Sequence, residues 1–199
     1  MEEFATQSIL LQKFSVCNTF EEDDKTKGKF GENDFIKFFN KKLNPNCDKT
    51  LFDVRGMEEY RKVDIDFIID MKCGKVLPDI DTVFANPDRY KKIEVKYNGP
   101  AYQTGKLAFE MISHSGFGWG FITQCDYFYF VLARDYKKDP CDIAKRVWIK
   151  RIDWINYIKN TPRNKREKCY LNSGEYGIGN IMTLLDDMEK NGILKYVEY

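Results

Sequence analysis

The sequence predicts an α/β domain with a mixed central β-sheet flanked by helices, and three observations predict it. A helical apolar pattern occupies positions 32–43, two alternating segments follow at 63–70 and 90–97, and a strongly apolar, aromatic run fills 120–132. Periods of 3.6 and of 2 therefore succeed one another along one chain, which suits helices packed on a sheet better than a bundle or a sandwich. No internal repeat or linker divides the 199 residues. The expected organisation is a single domain over 1–199, with its core at about 30–132 and a C-terminal elaboration over 133–199.

Residues 20–31 are charged and carry two glycines. From Glu32 onward, Phe35, Ile36, Phe39 and Leu43 recur at i, i+3 and i+4, so an amphipathic helix is expected, ended near Pro45. Glu32 falls in its first turn, where its carboxylate projects from the edge of the buried face. In Val63–Asp70, Val63, Ile65, Phe67 and Ile69 alternate with Asp64, Asp66, Ile68 and Asp70, the pattern of a strand with carboxylates along one face. Lys72 to Asp88 reads as a turn and an extended connection. Tyr90–Tyr97 reads as a second strand that carries Glu94 and Lys96 on a common face and sends Val95 into the core.

Beyond these strands, Ala101 to Ser113 suits a helix or a loop and helix, and Gly120 to Leu132 contains a buried strand. Arg146 to Ile158 passes from a short strand into a helix with Trp154, Ile155 and Ile158 inward. Thr161 to Lys168 is a basic loop, Gly174 to Gly179 a flexible segment, and a final helix is expected near Ile181 to Lys190. The basic loop's Arg163, Lys165, Arg166 and Lys168 are candidates for gripping a phosphate backbone, although Glu167 interrupts them.

Composition removes several classes. Lys and Arg number 32 against 31 Asp and Glu, a net charge of +1, so no global positive field drives nucleic-acid binding. The six cysteines are scattered without a C-x-x-C pair, which argues against a zinc site or a disulfide framework. The N-terminus has no signal-peptide pattern, and no run of about 18 apolar residues occurs, so a soluble intracellular protein with no membrane partner is expected. His114 is the only histidine, which excludes mechanisms needing two. Its Ser-His-Ser-Gly surroundings lack a nucleophile elbow, and Walker A, dinucleotide and EF-hand patterns are absent.

What remains is a set of acids and one lysine suited to phosphodiester hydrolysis. That reaction needs divalent cations to bind the scissile phosphate and activate water, and hard cations take carboxylate oxygens. Glu32 on a helix, Asp66 on one strand and Glu94–Val95–Lys96 on the next supply these groups, with the Val95 carbonyl as a further ligand. Lys96 is suited to orienting the attacking water or stabilising the transition state. The tripeptide alone recurs at Asp23-x-Lys25, Asp70-x-Lys72 and Asp135-x-Lys137, so strand context singles out Glu94-x-Lys96.

Glu32, then Asp66 in "VDIDFII", then Glu94 and Lys96 in "KKIEVKYN" resemble the ordered motifs of the PD-(D/E)xK nuclease superfamily. "YQTGKLAFE", "SGF" and "TQCDYFYFVL" resemble the region after the catalytic lysine in phage-type members. The likeness spans about residues 30–132. It implies a restriction-endonuclease-like core and an Mg2+-dependent endonuclease acting on DNA, with Mn2+ as a substitute ion; an RNA-directed nuclease would use the same residues. It further implies Asp66 and Glu94 as ligands, Lys96 as the catalytic lysine and Glu32 as an accessory acid, with Glu110 or Gln103 in support. A homodimer would cut both strands. The sequence departs from the motif at its first acid, where no Pro-Asp stands in a strand. Asp64 competes with Asp66, while Pro78–Asp79 and Pro87–Asp88 fall in expected loops. The rival expectation is a catalytically silent protein on this fold that binds a protein or nucleic-acid partner, such as a phage counter-defence protein.

Overall fold

The computed structural model describes residues 21–113, 116–161, 170–173 and 178–198. Helix α1 (Glu21–Phe38) begins well before Glu32 and widens into a π-helical turn at Phe39–Leu43. Its glycines do not delay the helix. Gly31 is buried and faces Val95 and Tyr97 of the sheet, at a distance where a Cβ would make ordinary contact. Strand β1 (Thr50–Asp53), short helix α2 (Glu58–Arg61), β2 (Phe67–Asp70), α3 (Ile80–Ala85) and β3 (Tyr90–Tyr97) follow.

After β3 the expected helix at 101–113 is replaced by a single turn, α4 (Ala101–Thr104), and a strand, β4 (Lys106–Ser113). Gly105, at φ 67°, caps the turn in the left-handed conformation, and Leu107 and Phe109 then alternate inward with period 2. Next come β5 (Gly116–Phe117), α5 (Trp119–Ile122), β6 (Tyr127–Asp135), β7 (Asp139–Lys150) and α6 (Arg151–Asn160). The strand-to-helix passage expected around Arg146–Ile158 is present, with Trp154 buried. The chain ends in β8 (Tyr170–Ser173), β9 (Ile178–Leu184), α7 (Leu185–Lys190) and β10 (Leu194–Val197). Ile181 therefore lies in a strand, and the last helix starts later than its sequence suggests.

Six strands form a mixed sheet in the order β1-β2-β3-β6-β7-β10, and β5-β4-β9-β8 form a second sheet. All pairings in the large sheet are antiparallel except β3 with β6, which run parallel across the β4–α5 crossover. β6 is buried on both faces. Phe128, Phe130 and Leu132 join the core shared with Phe109, Trp154, Leu185 and Met188, while Tyr129 and Val131 meet Phe35, Phe38 and Phe39 of α1. Asp34 anchors that helix: its carboxylate accepts from Tyr129 Oη at 2.8 Å and from Arg146 Nε and Nη2 at 2.8 and 2.9 Å. Among the described residues no helix is long and apolar enough to cross a membrane.

Candidate functional site

β2 pairs with β3 only as far as Phe67↔Ile93, whereas β3 continues to Tyr97 along β6. The edge of β3 beyond Ile93 is thus open on the β2 side, and the chain entering β2 fills it only in part. A cleft of about 370 Å³ results, lined by Lys27 and Glu32 of α1 and by Asp64, Asp66, Glu94 and Lys96. Expected as one continuous strand over 63–70, this entering segment is strand only from Phe67. Asp64, at φ 52°, turns the chain off the sheet line.

Backbone contacts fix Asp66. Its N–H donates to the Ile93 carbonyl at 3.0 Å, and its Oδ2 accepts from the Val95 N–H at 2.9 Å. The paired register stops at Phe67↔Ile93, and beyond it Asp66 and Glu94 line the same cleft. In a strand the N–H and C=O of one residue point to the same edge, so the Val95 carbonyl shares this opening. Glu94 is 1% exposed. Its Oε1 pairs with Lys96 Nζ, and its Oε2 has no hydrogen-bond partner. Lys96 Nζ also lies 3.4 Å from Asp64 Oδ2 and 4.8 Å from the centre of the Trp119 ring.

Three acids around one ammonium leave negative charge in excess. Burial pushes the Asp66 carboxyl up to about 6, and the nearby Asp64 and Glu32 add to the rise against the pull of Lys96 and the Val95 N–H. Burial likewise raises Glu94 well above the ordinary carboxylate range, helped by Asp66 and Asp64 and opposed by Lys96. Burial disfavours the charged form of Lys96, but Glu94, Asp64 and Asp66 together outweigh it and hold the ammonium above its ordinary range.

Of the residues expected at the site, Asp66, Glu94, Val95, Lys96 and Glu32 line this cleft, and Asp64 joins them. Glu32 is not a free accessory acid, because Arg55 pairs with it and with Asp53. Gln103 lies elsewhere: it is exposed and donates to the Arg134 carbonyl at 3.2 Å. Glu110 is half-buried on β4 in the second sheet, not two helical turns beyond Gln103, because the helix ends at Thr104. Neither lines the cleft. Arg163, Lys165, Arg166, Lys168 and His114 fall outside the described residues. Arg55 carries no local sequence signal, because the Glu32 it pairs with lies 23 positions away.

A larger cavity of about 620 Å³ lies between α6 and the start of the last turn, near Tyr157, Asp187 and Asn191. The acid-and-lysine cleft is the stronger candidate, because a pocket gains chemistry from buried convergent charge rather than from size. Tyr157 Oη donates to Asp187 at 2.5 Å, so that cavity's main polar contact is internal. Comparison of the chain with family models, with curated proteins and with solved structures gives no match.

Proposed function

We propose that this protein is a metal-dependent endonuclease that hydrolyses DNA phosphodiester bonds on a restriction-endonuclease-like core. The observation carrying the reading is Glu94: a fully buried carboxylate, in one open cleft with Asp66, with one oxygen on Lys96 and the other without a partner. A buried carboxylate oxygen left unsatisfied is costly unless something else binds it. The order of elements supports the fold, since β3 with Glu94 and β2, entered from Asp66, lie side by side in a mixed sheet covered by the Glu32 helix.

The donor set suits a small hard cation such as Mg2+ or Mn2+, since it is all oxygen and Mg2+ completes its shell with water rather than a full protein cage. Among the described residues no group of three or more His, Cys, Asp and Glu side chains stands assembled as such a cage. Asp66 and Glu94 would hold the ion, with the Val95 carbonyl on the same edge. When bound, a divalent cation neutralises phosphate charge and lowers the pKa of the attacking water. Lys96 keeps its proton at Nζ and presents a positive charge to the phosphate oxygens as they gain charge. Asp66 aligns the open edge of β3 through the Val95 N–H. Trp119 covers Lys96 and limits its access to water. A homodimer would bring two such sites to the two strands of a duplex.

The second reading is a catalytically silent protein that binds a partner, and the near-neutral charge of +1 favours it. Arg55 favours it too, because it already occupies Glu32. The deciding experiment is cleavage of supercoiled, linear and single-stranded DNA, and of RNA, with Mg2+ or Mn2+. Glu94→Ala and Lys96→Ala should each lower the rate on the order of 10³-fold. A folded native protein that cuts none of these substrates would transfer the case to the binding reading.

A further inference from the structure

Asp64 is one of three non-glycine residues at positive φ among the described residues. A left-handed backbone is unfavourable for any residue with a Cβ, is tolerated best by Asn and Asp, and persists where surrounding bonds impose it. Those bonds are present here. The Asp64 N–H donates to the Arg61 carbonyl at 3.2 Å, and Gln124 N–H donates to the Val63 carbonyl at 2.9 Å. Thr123, fully buried, donates its hydroxyl to the Asp64 carbonyl at 3.0 Å, and the same hydroxyl oxygen accepts from Cys125 N–H at 3.3 Å. The segment leading into β6 therefore grips the turn that carries Asp64.

The grip has a chemical result. Although the chain leaves the sheet, the Asp64 carboxylate stays over the site, with Oδ2 buried, without a hydrogen-bond partner and 3.4 Å from Lys96 Nζ. Lys96 thus has two carboxylates within reach, Glu94 and Asp64. Of the two, Glu94 is the one the hydrolytic reading assigns to the ion together with Asp66.

We propose that Asp64 is the alternate partner of Lys96, receiving its ammonium when a divalent cation takes Glu94, and that Thr123 is the positioning residue holding Asp64 for this exchange. The inference rests on the hydrolytic reading above and assigns the two aspartates different work. Asp66 faces the ion, and Asp64 keeps Lys96 aimed while Glu94 is engaged. No bond is made or broken; one ion pair replaces another.

The test follows the Lys96 ammonium by nitrogen NMR in the full chain as Mg2+ is added, with the melting temperature of each variant measured without metal. In the native protein Mg2+ should shift the Lys96 signal while its protons stay protected from water. In Asp64→Asn and Thr123→Val, Mg2+ should speed their exchange about ten-fold, the scale of one lost hydrogen bond to a charged group. Thr123→Ser, which keeps the hydroxyl, should behave as native. Asp64→Asn and Asp64→Gly should melt no lower than the native protein, since both residues tolerate the left-handed turn and remove one of three mutually repelling acids. A lower melting temperature in both would make Asp64 a structural ion-pair partner and overturn the proposal. Mg2+ binding with equal exchange in native and Asp64→Asn protein would overturn the exchange of partners alone. A native signal that Mg2+ does not move would remove the hydrolytic reading together with this one.

Discussion

Two acid-x-lysine tripeptides have their acids on neighbouring strands of one sheet, and those acids are almost equally buried. Asp70 is 0% exposed and Glu94 1%. Asp70 closes the end of β2 and accepts four hydrogen bonds: Lys72 N–H at 2.8 Å, Gly74 N–H at 3.0 Å, and Arg89 Nε and Nη2 at 3.1 and 3.0 Å. The Arg89 guanidinium, with those two amides, holds its carboxyl below the ordinary range. Glu94, in the middle of β3, has one cation, an oxygen without a partner and two acidic neighbours. Burial alone therefore does not say whether an acid stabilises a fold. Saturated, it clamps a turn; under-supplied, it retains binding capacity at the expense of stability.

The largest expected effect is on the saturated side. Asp70→Ala should lower unfolding free energy by about 3 kcal/mol, because it strands two amides and separates Arg89 from its partner. Urea titration at pH 7 measures it. Because the folded carboxyl is depressed below its ordinary value of 3.8, its stabilisation is present above that value and lost as pH falls through the lower folded one. The native curve should therefore drop in acid while that of the variant stays flatter. Gly74 belongs to the same clamp, since a Cβ there would collide with Asp70 Oδ2. A loss under about 1 kcal/mol for Asp70→Ala would break the contrast, because the four bonds would then do little more than replace water.

The opposite sign is expected in the cleft. The Asp66 carboxyl, near 6 when folded against 3.8 otherwise, keeps its proton longer in the folded chain. Native stability should fall as pH rises through that interval. Asp66→Asn escapes this, so in metal-free buffer it should gain about 1 kcal/mol over the native protein at pH 7.5 and nothing at pH 3.5. Melting curves at the two values check it. Destabilisation at pH 7.5 would mean that the Asp66 bond to the Val95 N–H outweighs the repulsion.

The middle strands of the large sheet and the Glu94–Lys96 pair are legible because both rest on local period, whereas β1 and β10, four residues each, are too short to show one. In 90–97 and 120–132, alternation and apolar density agree with the strands formed, and Val95 is buried as the spacing requires. The segment 101–113 misled because its apolar residues fit either period, and one left-handed glycine decided between them. Glu110 and Gln103 were misplaced with it. Asp64 and Asp66 could not be ranked from alternation, because the break at Asp64 is imposed by Thr123 and Gln124, some sixty residues on. Arg55 was invisible for the same reason: a partner for Glu32 that lies 23 positions away leaves no local mark.

The smallest effect concerns a third acid and lysine. Glu58 and Lys62 pair at 2.8 Å across one turn of α2, with side chains 78% and 70% exposed. The geometry is as good as that of the buried pairs, but water already solvates both charges and side-chain entropy offsets the attraction. Glu58→Gln should change stability by less than about 0.5 kcal/mol, and the difference should vanish in high salt. Urea titrations at low and high salt would measure it. If the change reached a full kcal/mol, at about the level expected for Asp66→Asn, pairing rather than solvent exclusion would govern these acids. The divergence of Asp70 and Glu94 would then have to come from partner number alone.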